Sequence, residues 1–576
     1  MGLDSFQRRI TIIGSCFIVV VLLASMRLFY LQVIKHNYYK TLASGEQRRK
    51  YEVPSNRGKI YMTDRGEKLP IVLNRDLKTL YADPRYITDK ADTARRIAEV
   101  TKEDARKYEE ALGSADFYVV LKKQVEPVMA EAIDNLELAG VGLNDSPVRV
   151  YPEGTLGAQV LGFVNNDGNG QYGMEEYFND QLAGSKGLLN AKTDTRGIPI
   201  ATSDNLQLRP IDGADVVLTL ERNIQAKVEQ VLQEGTTKYK AKNASAVVMD
   251  PRTGKILAMA NFPTYDPSKY QEVEDYNVFS NRVATGLYEP GSIMKVFAMG
   301  AGLESKALTP ETSFTNTGTT QVANYTIKNA QTITSGKYTM AEVLSHSINT
   351  GMVEVLRYLG GGQINNTGKQ KLYDFYTGRF KFGEPTGAQI PAEPSGTIYP
   401  PSENDVTYAN MTFGQGMTAT MLQLASAYGA LANGGTVYKP QLVEQTIGAE
   451  GATNNYASEV RQTAVLSAQT ITQVTAMMQA VIDRAVGIGV KLPGYALAGK
   501  TGTAQIPDPK GGYFENRDIG SFAGFGPVKN PEYVVIVRTD EPQAAITQFA
   551  GSGAAGPMWG NIMQWLLNYG GVAPSG

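Results

Sequence analysis

The chain has 576 residues, 42% hydrophobic and 19% charged, with a formal net charge of −2, two histidines and one cysteine. That length implies about three to four domains of ~150 residues, or two larger ones with short appendages, and excludes a single small module. The near-neutral charge, with no basic block longer than Arg48-Arg49-Lys50, excludes nucleic acid as a partner, and so few His and Cys leave no zinc cluster, disulfide framework, CxxC pair or cysteine nucleophile to build.

Ile10 to Met26 carries no charge, and after Arg27 a second apolar stretch runs from Leu28 to Ile34. This is longer than a signal-peptide core of ~7–15 residues and no A-x-A cleavage site follows, so residues 10–34 read as an uncleaved transmembrane signal-anchor behind a short cytoplasmic tail, residues 1–9. A buried core helix is the alternative. Basic residues lie on both sides, so charge counting does not settle orientation. The single cysteine, Cys16, falls inside the anchor, and a body without cysteine suits a compartment where thiols are oxidised. The body is therefore expected outside the cytoplasm, on a single-pass membrane protein.

Residues 35–215 mix short β-like runs with turns such as Pro54-Ser55-Asn56-Arg57-Gly58, and carry one charged helical stretch from Asp89 to Leu112. They read as an elongated β-rich pedestal. Asn165 to Glu176 nearly fits a calcium loop, but Asn stands first and β-like Val160 to Val164 replaces the entering helix, so a structural turn is the reading and no metal is expected. Residues 216–570 form an α/β (α+β) domain. Strands of one sheet, made by distant parts of the chain, are expected at Val216–Leu220, Ala246–Asp250 and Ile256–Ala260, then helices, then strands near Tyr495–Gln505 and Tyr533–Thr539. Val474, Met477, Met478, Val481 and Ile482 make a core-facing helical stripe. Residues 571–576 read as a disordered tail.

Chemistry enters at Glu289-Pro290-Gly291-Ser292-Ile293-Met294-Lys295. Pro-Gly punctuates the chain before an apolar helix, so Ser292 sits in its first turn and Lys295 one turn on, on the same face. A desolvated lysine can lose its proton and activate the serine, and the helix N-terminus favours the charge that develops. Alone, Ser-x-x-Lys also fits a helix cap followed by a surface lysine. Two further constellations strengthen it: Ser347-Ile348-Asn349 on a turn, and Lys500-Thr501-Gly502-Thr503 on an edge strand. In the latter, Lys500, Thr501 and Thr503 can hold a carboxylate, Gly502 admits a ligand backbone, and main-chain N–H groups can face an oxyanion.

Other patterns are weaker. Gly494 to Thr501 fits a Walker A spacing, but Tyr495-Ala496-Leu497-Ala498 reads as strand, and Pro507 and Pro509 leave no room for the required helix. Ser203-Asp204-Asn205 and Ser402-Glu403-Asn404 fit Ser-x-Asn but read as loops. A Ser-His-Asp triad would rest on His346 alone, which reads as a helix-surface residue.

Ser-x-x-Lys, Ser-x-Asn and Lys-Thr-Gly, in this order, resemble the motifs of penicillin-binding proteins and serine β-lactamases. Asn56-Arg57-Gly58-Lys59-Ile60, Arg149-Val150-Tyr151-Pro152-Glu153-Gly154, Asp250 to Met259, Phe413-Gly414-Gln415-Gly416 and Ala432-Asn433-Gly434-Gly435 extend the resemblance to class B penicillin-binding proteins over nearly the whole chain. Tyr288 to Ser292, and Glu393 with Gly396, resemble the division type more than the elongation type. Gln159, where the family often has histidine, departs from the pattern. The resemblance implies an antiparallel sheet flanked by helices, a pedestal of the dimerisation type, and a D,D-transpeptidase that cross-links peptidoglycan stem peptides. It implies Ser292 as nucleophile, Lys295 as its base, Ser347 and Lys500 as proton relay, Asn349 on the substrate amide, and Thr501, Gly502 and Thr503 at the terminal carboxylate. It also implies β-lactams as ligands, no cofactor, and a membrane glycosyltransferase with division or elongation proteins as partners. The rivals are a β-lactamase and a non-catalytic penicillin sensor.

Overall fold

The computed structural model describes residues 22–23, 25–27, 29–30, 35, 50–116, 118–190, 206–330, 333–485, 487–543 and 551–574. Most of the expected anchor, residues 10–34, and all of Ser203-Asp204-Asn205 lie outside the described residues. No helix among the described residues is long and apolar enough to cross a membrane. The chain forms two compact units, one from Met1–Arg57, Asn74–Val148 and Ala183–Gly213, the other from Gly58–Leu73, Arg149–Leu182 and Ala214–Gly576.

In the first unit, strand Lys78–Ala82 lies between Val119–Val125 and Val141–Asp145, antiparallel to both. Leu80, Ala82, Leu121 and Val125 pack there with Ile97, Tyr108, Leu112 and Ile133 from the helices. The helix expected over Asp89–Leu112 is two helices, Lys90–Thr101 and Ala105–Leu112. Lys102 takes a left-handed φ of 59° as the first helix ends, and the Asp104 side chain caps the second. Helical charge composition continues through the break, so pattern alone does not reveal it.

The second unit is built on five antiparallel strands: β1 (Asn243–Met249), β2 (Ile256–Phe262), β3 (Ala498–Pro507), β4 (Tyr513–Gly526) and β5 (Tyr533–Asp540), in the order β2-β1-β5-β4-β3. Alternation sorts β1 between two layers. Ala244, Ala246 and Val248 face helices α1 (Arg222–Tyr239) and α6 (Gly556–Tyr569), with Val228, Leu232, Trp559 and Leu566. Val247 and Met249 face a larger core containing α2 (Lys295–Glu304), α3 (Asn349–Leu359), α4 (Met421–Ala432) and α5 (Ala468–Arg484). Lys295 through Leu303 are all buried, so α2 is central and apolar on every side, a placement open only to a helix enclosed by others.

Three expectations need correction. Strand Asp215–Glu221 joins a different sheet, parallel to Ile60–Asp64 and antiparallel to Val443–Ile447. The 14-residue strand β4 was not expected, because Tyr513 to Gly526 is glycine-rich and polar at its start. The tail is held as far as Val572, whose N–H donates to Leu567 O at 2.9 Å and whose carbonyl accepts from Tyr495 Oη at 2.9 Å. The near-calcium loop is a turn, in which Asn165 Oδ1 accepts the N–H groups of Asp167 and Asn169. Gln159 is buried and fully engaged, donating to Pro263 O and Val278 O and accepting from Thr264 Oγ1.

Candidate active site

Gly291–Met294 forms a tight 3-10 turn that runs into α2, so Ser292 stands one turn ahead of Lys295, the first α-helical residue. The turn depends on Gly291, whose φ is +63°. It is held from behind: Gly291 N–H donates to Gly414 O at 2.9 Å, and Tyr428 Oη donates to Ile293 O at 2.8 Å. A Cβ at Gly414 would lie 2.1 Å from Gly291 O, so only glycine lets that loop approach. Ser292 is half-buried, and its hydroxyl bonds to none of the described residues.

Helix Met340–Ser345 starts with a Thr339/Glu342 capping box and ends at His346. Ser347 then takes a left-handed φ of +59°, a conformation costing a non-glycine residue about 1 kcal/mol or more, before α3 begins at Asn349. The kink turns Ser347 and Asn349 towards α2. His346 points elsewhere, its ring edge-on to Tyr338 at 5.5 Å between centroids.

Lys295, with no exposed surface, donates to Ser347 O at 2.6 Å and Asn349 Oδ1 at 2.7 Å, and its Nζ lies 3.1 Å from Ser347 Oγ. Lys500, equally buried, reaches the same hydroxyl from β3, 3.0 Å from Ser347 Oγ, and also donates to Thr501 O at 3.1 Å. Ser347 Oγ therefore bridges two buried lysines. Neither lysine has a carboxylate partner among the described residues. Burial first, and the Lys500 charge second, hold Lys295 well below the usual lysine range, and burial pushes Lys500 down to about 7.

Lys500 and its neighbours lie on β3, at the open edge of the sheet. Thr501 and Thr503 are half-buried, whereas Gly502 is buried and faces inward: a Cβ there would meet Ser521 Oγ at 2.3 Å and Pro290 O at 3.0 Å. Its smallness thus lets the Ser292 turn pack against the sheet. The Walker A match is excluded by the same strand, which occupies Ala498–Pro507 where a phosphate loop needs a loop and a helix. Asn404 of the other Ser-x-Asn caps helix Asp405–Met411 through Thr407 N–H. Glu289, which carries no role in the motif pattern, is a buried acid next to the Ser292 turn, and its only signal in the sequence is an acid among Pro, Gly and apolar neighbours.

Two families of known domains match the chain. Residues 244–564 match the penicillin binding protein transpeptidase domain, and residues 52–218 the penicillin-binding protein dimerisation domain. The chain is a class B penicillin-binding protein. It is similar to stage V sporulation protein D of Bacillus subtilis, 32% identical over 97% of this chain and 85% of that one. It is also similar to the peptidoglycan D,D-transpeptidase FtsI of Buchnera aphidicola, 28% identical over 99% and 97%. Among solved structures, a peptidoglycan synthetase from Bifidobacterium adolescentis superimposes with a TM-score of 0.72 at 27% identity, covering 92% of this chain and 98% of that one. Penicillin binding protein 3 of Mycobacterium tuberculosis, complexed with aztreonam, gives 0.70 at 26% identity, covering 91% and 98%. As a class B penicillin-binding protein this chain is a peptidoglycan D,D-transpeptidase, and its buried Lys-Ser-Lys array belongs to the transpeptidase domain.

Proposed function

We propose that Ser292 Oγ attacks the carbonyl carbon between the two D-alanines of a stem peptide, releases D-alanine, and passes the acyl group to an amine of a neighbouring stem. The observation that carries the reading is the Lys295–Ser347–Lys500 bridge beside an unengaged serine. A neutral lysine keeps two N–H donors and one lone pair. The two donors fit the two closest acceptors, Ser347 O and Asn349 Oδ1, which leaves the lone pair for a hydroxyl proton. Lys295 takes the proton of Ser292 as the Oγ–C bond forms.

As the C–N bond breaks, Ser347, charged through Lys500, hands a proton to the departing amine. The acceptor amine then attacks the ester, its proton returns along the same route, and Ser292 is regenerated. Asn349 already spends Oδ1 on Lys295 and one N–H on Lys328 O at 3.2 Å, so it places the base and keeps one N–H for a substrate amide. The stem peptide lies along the open edge of β3, with Thr501 and Thr503 towards its carboxylate and the N–H groups of Ser292 and Thr503 at the oxyanion. β-Lactams enter by the same route and acylate Ser292.

The septum is the site of action that fits best, since relatives include the transpeptidase FtsI, and residues 10–34 anchor the enzyme with its body outside the cytoplasm. A membrane glycosyltransferase supplies the glycan strands. Depletion that yields filaments supports the septal role, whereas rounded cells would assign the enzyme to the side wall.

Time-resolved intact and peptide mass spectrometry of the full chain with a penicillin tests the chemistry. A persistent adduct on Ser292 is expected. A transient adduct would point to a β-lactamase, and an adduct on another residue overturns the assignment.

A further inference from the structure

Glu289 stands three residues before Ser292 and is only 9% exposed. Its Oε1 accepts the Gly416 N–H at 2.9 Å and the Tyr513 hydroxyl at 3.3 Å, while Oε2 has no partner among the described residues. Gly416 belongs to the loop whose Gly414 abuts Gly291. Tyr513 opens β4 and pairs with Pro507 at the far end of the edge strand β3. One carboxyl oxygen therefore joins the nucleophile turn, the loop behind it and the hairpin that ends the substrate-facing strand.

The unequal use of the two oxygens is informative. An ionised carboxylate would leave one anionic oxygen buried without a donor, the costlier of the two protonation states. A neutral carboxyl suits the site better, with its carbonyl at Oε1 receiving both donors and only an uncharged hydroxyl at Oε2 left without a partner among the described residues. Burial raises this acid in the same direction, opposed by the hydrogen bonds from Gly416 and Tyr513, and no charged side chain acts on it among the described residues.

We propose that Glu289 is a positioning residue of the transpeptidase reaction, working as a neutral carboxyl that clasps Gly416 and Tyr513 and so keeps Ser292 seated against β3. It acts through the nucleophile turn and does not touch the substrate. The proposal rests on Ser292 being the acylated residue.

The test is acylation of the full-length protein by a fluorescent penicillin, with melting temperature measured alongside, for wild type, Glu289→Ala, Glu289→Gln and Tyr513→Phe, between about pH 5 and pH 9. Glu289→Ala is expected to slow acylation at saturating penicillin about tenfold or more, with little change in the half-saturating concentration. Tyr513→Phe loses less. Glu289→Gln, the shape of the neutral acid, restores the rate, and its ratio to wild type rises with pH as the native carboxyl ionises. A folded Glu289→Ala acylated at the wild-type rate overturns the proposal. So does a Glu289→Gln to wild-type ratio that is flat with pH, a readout that decides the matter even if Glu289→Ala does not fold. No Ser292 adduct in wild type would overturn the functional reading, whereas equal adduct formation by wild type and Glu289→Ala overturns this proposal alone.

Discussion

Lysines gather at two places in this protein, and the two treat the same side chain in opposite ways. In the first unit, Glu103 accepts from Lys122, from Lys107 at 2.9 Å and from Tyr108 Oη at 2.9 Å, and these bonds, Lys122 first, pull its carboxyl down to about 2. There each ammonium has a carboxylate partner and some solvent. In the active site Lys295 and Lys500 have neither, and share a serine hydroxyl. An uncompensated ammonium removed from water costs several kcal/mol, which the site relieves by giving up the proton. Withholding a counter-ion is what fits a buried lysine for the base role proposed for Lys295.

The contrast breaks most visibly at Lys295. Replacing it by Met should lower the acylation rate of Ser292 by about 10⁴-fold, the upper end for loss of a general base. The melting temperature should hold or rise, because an apolar chain of similar length replaces a buried polar one. A falling melting temperature would mean that the lysine serves the fold.

Next in size is the hydroxyl between the lysines. Ser347→Ala should slow acylation about 10²–10³-fold, since it removes the one group common to both amines. Ser402→Ala, in the other Ser-x-Asn, should acylate like wild type. The reverse result would place the relay at the wrong motif.

The pH profile sharpens the comparison further. Lys295 is held low, so acylation rises with pH as it deprotonates. Lys500 titrates near 7 in the free enzyme, and acylation falls as pH rises through that value and the relay loses its charge. Lys500→Met should remove the falling limb and lower the rate by about 10²-fold. A wild-type profile that keeps rising well past neutrality would remove Lys500 from the relay.

The smallest effect belongs to the paired site. Glu103→Gln should leave acylation unchanged and cost no more than about 1 kcal/mol of stability at neutral pH, as surface ion pairs do. Because the folded carboxyl lies near 2 and the free one at 4.5, that contribution is complete above 4.5 and is lost as pH falls towards 2. Thermal unfolding across that range measures it.

Much of the site was legible before any fold was known. Ser292, Lys295, Ser347, Asn349 and Lys500 announce themselves because each motif is short and contiguous, and the Pro-Gly turn, the apolar helix after it and the strand through Lys500 all follow from local pattern. Strand β4 is hidden in the sequence because Gly520, Gly524 and Gly526 sit in it where β-formers are expected, and Gly524 has to be small: a Cβ there would lie 2.5 Å from Ala498 O. The helix over Asp89–Leu112 was drawn too long because its charged residues continue across the left-handed Lys102. The sheet that Asp215–Glu221 joins is not legible in its pattern, which states that a strand pairs and not with whom; its parallel partner lies some 150 residues earlier, as in Val216↔Ile60.

The sequence by itself determined which reactive groups are present, their order, and the local turns that present them, since these depend on neighbours a few residues apart. With two histidines and one cysteine it also leaves no material for a His/Cys zinc cluster or a disulfide framework. Only the tertiary structure decided that Ser347 stands between two lysines, 52 residues from one and 153 from the other, and that Glu289 binds Tyr513 224 residues away. Only it buried Lys295 and Lys500 around one hydroxyl, because desolvation is a property of what surrounds a group in space, and the segments carrying Lys295, Ser347 and Lys500 lie far apart in the chain.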